Sequence, residues 1–222
     1  MKKSNNNIPT NDLVDLIDIG ALPPEANLQL PDPQLVAYYK DSSDKHRMLY
    51  ITRDIDDSLM DEIRCIIRWN LEDEENNIPV EKRTPIKLLL LSYGGQIDMC
   101  QSMLDIIQLS RTKVICINLG VCASAASLIL MAGHERYALK NSWALIHQGQ
   151  GSAGGTYAMV EAQSANYKKM IENMRDFILS HTKIDSKLYN KQKSKEWYLY
   201  DDNMCELGVV DHIVTDISQI IG

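Results

Sequence analysis

The chain has 222 residues, of which 45% are hydrophobic, and carries a net charge of −7. This length and apolar content suit a globular protein of one large domain or two small ones. Binding of nucleic acid needs clustered lysine and arginine, so the acidic balance, with no basic run longer than Lys2-Lys3, argues against that role. The five scattered cysteines show no metal-ligand spacing, and no apolar run is long enough to span a bilayer. We therefore expect a cytoplasmic protein that uses no metal, cofactor, nucleic acid or membrane.

The chain divides by composition into two parts. Residues 1–46 are polar and proline-containing and lack sustained periodicity, which predicts a flexible amino-terminal arm. Residues 47–222 alternate between apolar runs and amphipathic stretches and form the predicted domain. No internal repeat interrupts this pattern.

The domain is predicted to begin with a strand over Met48–Ile51 and a helix capped at 56–58 and running to about Leu71. The acidic run over 72–77 is interpreted as a solvated surface loop. The later predicted elements are strands over 86–91 and 113–119, helices over 96–110 and 128–132, short strands over 136–139 and 143–146, helices over 157–179 and 185–191, and a last strand over 209–214. Strands alternating with helices predict an α/β fold with a parallel sheet.

Two glycine-containing turns follow buried strands of this sheet. Gly94 and Gly95 follow one strand, and the next is predicted to stop at a sharp turn at Gly120. Small residues then lead through Ser124 into an apolar helix that ends at Gly133. Ligands bind outside the carboxyl ends of parallel strands, so both turns are expected along the same edge. A serine between strand and helix can expose its hydroxyl at a positive helix end, although small residues there also simply permit close packing.

A serine nucleophile needs a base and a carboxylate that orients the base. His147 ends a predicted strand, a place from which its side chain can reach across a cleft. Glu196, Asp201 and Asp202 are the candidate carboxylates, and composition and spacing do not choose among them.

The sequence resembles the Clp protease proteolytic subunit family from about Arg47 to Ile217. The motifs that carry the resemblance occur in the family's order: Ser92-Tyr-Gly-Gly95, Gly120-Val-Cys-Ala-Ser-Ala-Ala-Ser127 with Met131-Ala-Gly133, Asn141-Ser142, Leu145-Ile-His-Gln148 and Glu206-Leu-Gly-Val-Val-Asp211. Each motif is short, but five of them in order with compatible spacing are specific.

The resemblance implies roles for particular residues. It puts Ser124, His147 and Glu196 on the catalytic triad and the backbone amides of Gly95 and Ala125 on the oxyanion hole. Extended peptides would pair with backbone beside Gly94 and near Gln148 and Gln150, the three residues interpreted as substrate-binding.

The sequence departs from the family's pattern at three site positions. Glu196 stands where the family usually has aspartate, Tyr93 replaces the proline of Ser-Pro-Gly-Gly, and Gly149 replaces the proline that commonly follows His-Gln. These changes indicate a divergent member, of the kind found in phages and prophages.

The resemblance also implies the architecture and the partners. The fold would be a crotonase-like core of parallel strands and helices, with a projecting handle built from Gly149–Gly155 and the helix after it. The protein would be an ATP-independent serine endopeptidase in two stacked seven-membered rings, a homo-oligomer that cleaves peptides and unfolded proteins. A separate AAA+ unfoldase would supply large substrates, since the sequence has no Gly-x-x-x-x-Gly-Lys-Ser/Thr loop.

Three other interpretations remain open at this point. A crotonase-fold acyl-CoA enzyme would use the same amides without a triad. A Ser–Lys protease would need Lys140 as its base, but this lysine lies in a predicted turn without the apolar setting that a lysine base requires. A non-catalytic ring or scaffold subunit would keep the fold and lose turnover.

Overall fold

The structure, a computed structural model, describes residues 44–221. The predicted arm over residues 1–46 lies outside the described residues except for its last three positions. The elements are β1 (Met48–Ile51), α1 (Met60–Glu75), β2 (Ile86–Ser92), α2 (Ile97–Leu109), β3 (Val114–Ala123), α3 (Ala125–Ala132), β4 (Glu135–Ala138), β5 (Trp143–Ile146), α4 (Tyr157–His181), α5 (Ser186–Gln192), β6 (Trp197–Leu199), α6 (Asp201–Glu206), β7 (His212–Ile213) and α7 (Ser218–Ile221). Short 3₁₀ turns at Asp57–Leu59 and Val80–Lys82 precede α1 and β2.

The seven strands form one sheet with a branch. Its main path is β1-β2-β3-β4-β7, and β5 leaves this path by pairing with β3 and then with β6. Every strand pair is parallel except β5 with β6. The predicted α/β fold with a parallel sheet is therefore confirmed.

The core lies between the sheet and the helices on it. Strand β2, which pairs with β1 and β3, is buried from Ile86 to Leu90 and apolar there apart from Lys87, as expected of a strand covered on both faces. Helices α1 and α2 bury apolar stripes against it, and every residue of α3 is buried. The largest side chains of this core include Trp69, Ile66, Leu88, Met103 and Ile107. This packing fixes the carboxyl ends of β2 and β3, which carry the Gly94-Gly95 turn and the Ser124 turn.

The predicted stop of β3 at Gly120 is wrong. The strand continues to Ala123 and changes partner on the way, pairing with β4 up to Asn118 and with β5 from Val121. Asn118 stabilises the change of partner, because its side chain accepts a hydrogen bond from the Gly120 amide at 3.0 Å and donates one to the Trp143 carbonyl at 2.9 Å. Gly120 therefore lies at the branch of the sheet, and the sharp turn comes four residues later.

The interpretation of residues 72–77 as a solvated surface loop is also wrong in part. Helix α1 continues to Glu75, and the Asp73 side chain is 1% exposed. Arg47 donates to both Asp73 oxygens, at 2.7 and 2.8 Å, and the Thr112 hydroxyl donates to one of them at 2.7 Å. A buried carboxylate is tolerated when it is paired in this way, and both partners are distant in sequence.

We expect Asp73→Asn to lower the free energy of unfolding by about 3 kcal/mol, because it leaves Arg47 without its charged partner. Burial by itself would raise the pKa of Asp73, but the hydrogen bonds from Arg47 and Thr112 outweigh it and hold the pKa below its usual range. The stability that this carboxylate contributes is therefore present above about pH 4 and lost as the pH falls through the lowered pKa.

Urea unfolding between pH 3 and pH 7 measures both effects, and the variant is expected to show the shallower pH dependence. Asp61→Asn is the matched control on the same helix, since its pair with Arg64 is exposed and worth about 0.5 kcal/mol or less. Equal losses in the two variants would contradict a stabilising role for the buried carboxylate.

The carboxyl-terminal part holds the projecting helix and the other differences from the predicted elements. Helix α4 is 25 residues long, and its first half is mostly exposed, whereas Ile178 near its end is buried in the core. The predicted strand over 209–214 shrinks to the two residues of β7, because Val209 and Val210 instead pack into the core after α6. The strand β6 was not predicted.

Candidate active site

Ser124 occupies the tight turn between β3 and α3. Its backbone has φ +54° and ψ −124°, an uncommon conformation for a residue with a side chain. Its amide donates to the Leu145 carbonyl at 2.9 Å, and its carbonyl accepts from the amide and the hydroxyl of Ser127 at 3.0 and 2.6 Å. The turn is thus held from both sides, and Ser127 is engaged in holding it.

The Gly94-Gly95 turn lies directly against the Ser124 turn. A Cβ atom at Gly94, whose φ is +103°, would stand 2.7 Å from both the Ala123 carbonyl oxygen and the Ser124 Cβ. The neighbouring Ile55 fixes the turn, because its amide donates to the Gly94 carbonyl at 2.8 Å and its carbonyl accepts from the Gln96 amide at 2.7 Å. Glycine is required here for the close approach of the two turns.

We expect Gly94→Ala to lower the free energy of unfolding by about 2 kcal/mol, because the added Cβ meets backbone atoms and the positive φ becomes strained. Gly154→Ala is the matched control, since a Cβ there meets nothing within 4 Å, and its stability is expected to be unchanged or slightly raised. Thermal unfolding of both variants is the measurement. A stable Gly94→Ala protein would contradict the tight contact between the turns.

Two backbone amides remain available beside Ser124. Ala125 is the first residue of α3, so its amide has no acceptor within the helix. Gly95 is bridged to Ile55, but the two hydrogen bonds of this bridge are made by the Gly94 carbonyl and the Gln96 amide. The Gly95 amide therefore points away from Ile55. Such amides are the groups from which an oxyanion hole is built.

His147 and Glu196 lie opposite each other where β5 and β6 meet. Ile146, the last residue of β5, pairs with Trp197, the first residue of β6, and the two strands are antiparallel. The next residue after β5, His147, therefore faces the residue before β6, Glu196. The His147 Nδ1 atom is 3.0 Å from the Glu196 Oε1 atom. Of the three carboxylates left open by the sequence, Glu196 makes this contact, while Asp201 and Asp202 lie in the first turn of α6.

This contact determines the tautomer of His147. An ionised carboxylate can only accept a hydrogen bond, so Nδ1 carries the proton and Nε2 presents a lone pair. The Nε2 atom is buried and has no hydrogen-bond partner in the part of the chain that the structure describes. A buried acceptor without a partner is uncommon, and it suits an atom that takes up a proton during a reaction.

Ser124 and His147 open into one cavity of about 390 Å³, the site cavity. Four of its side chains are apolar and belong to α2 or α4, namely Ile97, Met170, Ile171 and Met174. Of the residues that the sequence proposed, Gly95, Ser124, Ala125, His147, Gln148 and Gln150 line the cavity. Glu196 reaches it through His147, whereas Gly94 packs behind the Ser124 turn and does not line it.

Other kinds of site receive no support from the described residues. Within residues 44–221, no three histidine, cysteine, aspartate or glutamate side chains group as a metal site requires. No helix in that range has the length and apolar character to cross a membrane. Lys140, the base that a Ser–Lys mechanism would need, is exposed and does not line the site cavity.

Comparison with known proteins decides the family. A family model described as Clp protease matches residues 37–216. The chain belongs to the Clp protease family. The low identity to the relatives described next makes it a divergent member, and its branched sheet with the projecting helix α4 is the fold that the resemblance implied.

Two curated relatives show how distant the resemblance is. The ATP-dependent Clp protease proteolytic subunit 4 of Arabidopsis chloroplasts is 28% identical over 179 residues, which cover 79% of this chain and 59% of the plant protein. The ATP-dependent Clp protease proteolytic subunit of Dehalococcoides mccartyi is 28% identical over 173 residues, covering 77% of this chain and 82% of the bacterial one. The chain thus spans less than two thirds of the plant relative.

Sequence reasoning missed the connection that brings the site together. Ser124 and His147 were found because each follows a recognisable strand, but β6 is a three-residue strand that has no periodicity of its own. The available signal was the aromatic pair Trp197-Tyr198, since aromatic residues favour strands. The position of Glu196 opposite His147 follows from that strand.

Proposed function

We propose that the protein is a serine endopeptidase with Ser124 as nucleophile, His147 as general base and Glu196 as the carboxylate that orients the base. One observation carries the proposal. The His147 ring is held by Glu196 at Nδ1, its buried Nε2 has no hydrogen-bond partner within residues 44–221, and His147 lines the same cavity as Ser124.

The arrangement supports acyl transfer in two steps. His147 Nε2 takes the Ser124 proton as the Ser124 oxygen attacks the peptide carbonyl, and it then gives this proton to the leaving amine as the C–N bond breaks. Water next attacks the acyl-enzyme with the same base, which releases the acid product and restores the serine. Glu196 holds the tautomer and stabilises the imidazolium that forms in each step.

The amides of Gly95 and Ala125 are proposed as the oxyanion hole. They lie on the two turns that pack against each other, so their positions are set before substrate binds. Donors that are already in place stabilise the developing negative charge without reorganisation, a contribution of about 3–4 kcal/mol per donor in comparable enzymes.

The substrate is proposed to be an extended peptide that lies along the site cavity. Gln148 and Gln150 line the cavity and offer backbone groups for pairing as an added strand, whereas Gly94 would act by holding the Ser124 turn. The apolar side chains of Met170, Ile171 and Met174 suit an apolar residue next to the cleaved bond.

Ring assembly and an unfoldase partner complete the proposal. Tyr157 and Met159, on the projecting part of α4, are 83% and 51% exposed, which suits burial against another copy in stacked seven-membered rings. The relatives are named as proteolytic subunits of an ATP-dependent protease, and this chain has no nucleotide-binding loop of its own. A separate AAA+ unfoldase would therefore supply folded substrates.

Two alternatives compete with this proposal. A crotonase-fold acyl-CoA enzyme would leave the contact between His147 and Glu196 without a role. A non-catalytic ring subunit is favoured by the half-exposed Glu196, whose side chain is 56% exposed and which replaces the family's usual aspartate.

Labelling with a fluorophosphonate probe tests the proposal, because the probe reacts with a serine that a neighbouring base activates. We expect one labelled residue, identified as Ser124 by mapping the modified peptide. A protein that stays unlabelled while a known serine peptidase in the same tube reacts would favour the non-catalytic subunit.

A further inference from the structure

A second cavity of about 360 Å³ adjoins the site cavity on the other side of Tyr167. It lies between α4, α5 and the segment after His147, and it shares Gln148, Tyr167 and Ile171 with the site cavity. Its remaining lining is mostly polar and consists of Ser164, Lys168, Glu172, Arg175, Tyr189, Asn190 and Lys193. We refer to it as the basic cavity.

The two cavities differ in charge. Among the described residues that line the site cavity, none is an aspartate, glutamate, lysine or arginine. The basic cavity has three cations, Lys168, Arg175 and Lys193, and one carboxylate, Glu172. This local excess of positive charge contrasts with the net charge of −7 of the whole chain.

The cations of the basic cavity are available to a ligand. Lys168 and Lys193 are exposed, and the Nε atom of Arg175 is 3.8 Å from Asp176 Oδ1, with the two side chains 44% and 67% exposed. An exposed pair at that distance is weak and gives way easily to a better acceptor.

Tyr167 forms the partition between the two cavities. Its hydroxyl donates to the Gln148 carbonyl at 3.3 Å, and its ring lies beside Gly151, where a Cβ would stand 3.0 Å from it. A peptide held along the segment from Gln148 to Gly151 therefore passes the partition, and its next side chains reach the basic cavity. Since an extended chain advances about 3.3 Å per residue, those side chains are a few residues from the cleaved bond.

We propose that the basic cavity is a specificity subsite that selects peptides with a glutamate or aspartate a few residues from the cleaved bond. Lys168 and Lys193 bind the carboxylate, and Arg175 adds to the positive field. The inference rests on the proposed peptidase function, because it assigns a substrate preference to that same site.

The test uses a series of quenched fluorescent peptides that share one apolar residue at the cleaved bond. A single Glu, Gln or Lys is moved through the second to fifth positions on either side. We expect Glu to exceed Gln by about two- to fivefold in kcat/KM at one or two adjacent positions, with Lys below Gln, as one exposed ion pair allows. The preference should fade in 1 M NaCl, where the Debye length is about 3 Å.

The double variant Lys168→Glu/Lys193→Glu is expected to reverse the order of Glu and Lys peptides at those positions. Lys169→Glu/Lys191→Glu is the matched control, because it changes net charge equally at exposed neighbours that do not line the basic cavity. If charge reversal prevents folding, the variant Lys168→Gln/Lys193→Gln replaces it in the test. This variant is expected to remove the preference for Glu peptides without reversing it. The proposal is overturned if the ratio of kcat/KM for Glu and Gln peptides is the same in the cavity variant and the control. It is also overturned if this ratio equals one in wild type at every position.

Peptide binding separates this inference from the proposed function. If wild type cleaves no peptide, the peptidase proposal fails, and binding of the same labelled peptides is measured by fluorescence anisotropy. Tighter binding of Glu peptides that the Lys168→Glu/Lys193→Glu variant loses would then support the subsite on its own. Binding without dependence on charge, or no binding, would overturn it.

Discussion

Replacing Ser124 with alanine is expected to abolish peptide hydrolysis, with a loss of up to about 10⁶-fold in kcat. The change removes the attacking oxygen and leaves the oxyanion hole and the substrate groove in place. The strained backbone at φ +54° is set by hydrogen bonds of the Ser124 amide and carbonyl, which alanine retains. Hydrolysis of a fluorogenic peptide measures the loss, and sedimentation shows whether the variant assembles as wild type does.

Ser127→Ala is the matched control for this prediction. Ser127 is buried on the same turn, and its hydroxyl donates to the Ser124 carbonyl, so its loss should weaken the turn and leave substantial activity. Retained hydrolysis in Ser124→Ala together with its loss in Ser127→Ala would make Ser127 the nucleophile and overturn the proposed mechanism.

Replacing Glu196 with glutamine is expected to lower kcat by about 10²–10⁴-fold. The amide keeps the size of the side chain but removes the charge that stabilises the imidazolium. The NH₂ group of glutamine can also donate a hydrogen bond to His147 Nδ1. This favours the tautomer with the proton on Nε2, which then cannot accept the proton of Ser124. Steady-state kinetics with a fluorogenic peptide give the ratio, and Asp202→Asn, an exposed change in α6, is expected to stay near wild type.

Glu196→Asp restores the residue usual in the family and is expected to retain partial activity, since the shorter side chain must reach Nδ1 across a contact now set at 3.0 Å. Equal activity in wild type and Glu196→Gln would rule out the proposed role and direct attention to Asp201 and Asp202. An inert wild type with an active Asp variant would instead identify a family member that has given up catalysis.

Much of the fold follows from local patterns in the sequence. The run Ile86–Leu91 is apolar apart from Lys87 and is followed by Gly94-Gly95, so the strand and its turn could be predicted without knowledge of their neighbours. The predicted start of β3 and end of α3 hold for the same reason. What failed at Gly120 was the inference that glycine after a strand means a turn, because the strand's second partner, β5, comes later in the chain.

The parts that could not be predicted depend on contacts between distant residues. Nothing within residues 72–77 distinguishes Asp73 from its acidic neighbours, and its burial is set by Arg47 and Thr112, 26 and 39 residues away. Local patterns likewise left the three carboxylates open, and only the family resemblance pointed to Glu196, whose contact with His147 is a pairing across 49 residues between the ends of β5 and β6. Local periodicity carries no information about such pairings.

The branch of the sheet at Gly120 has a consequence for how activity and fold would be lost. Ser124 and His147 end strands that have partners on both sides, whereas Glu196 precedes β6, which pairs within the described residues with β5 alone. A three-residue edge strand has few backbone hydrogen bonds and opens at a lower free energy than interior strands do. The carboxylate thus lies beside a short and weakly held edge strand, so local fraying there would disrupt the histidine geometry while the rest of the molecule stays folded.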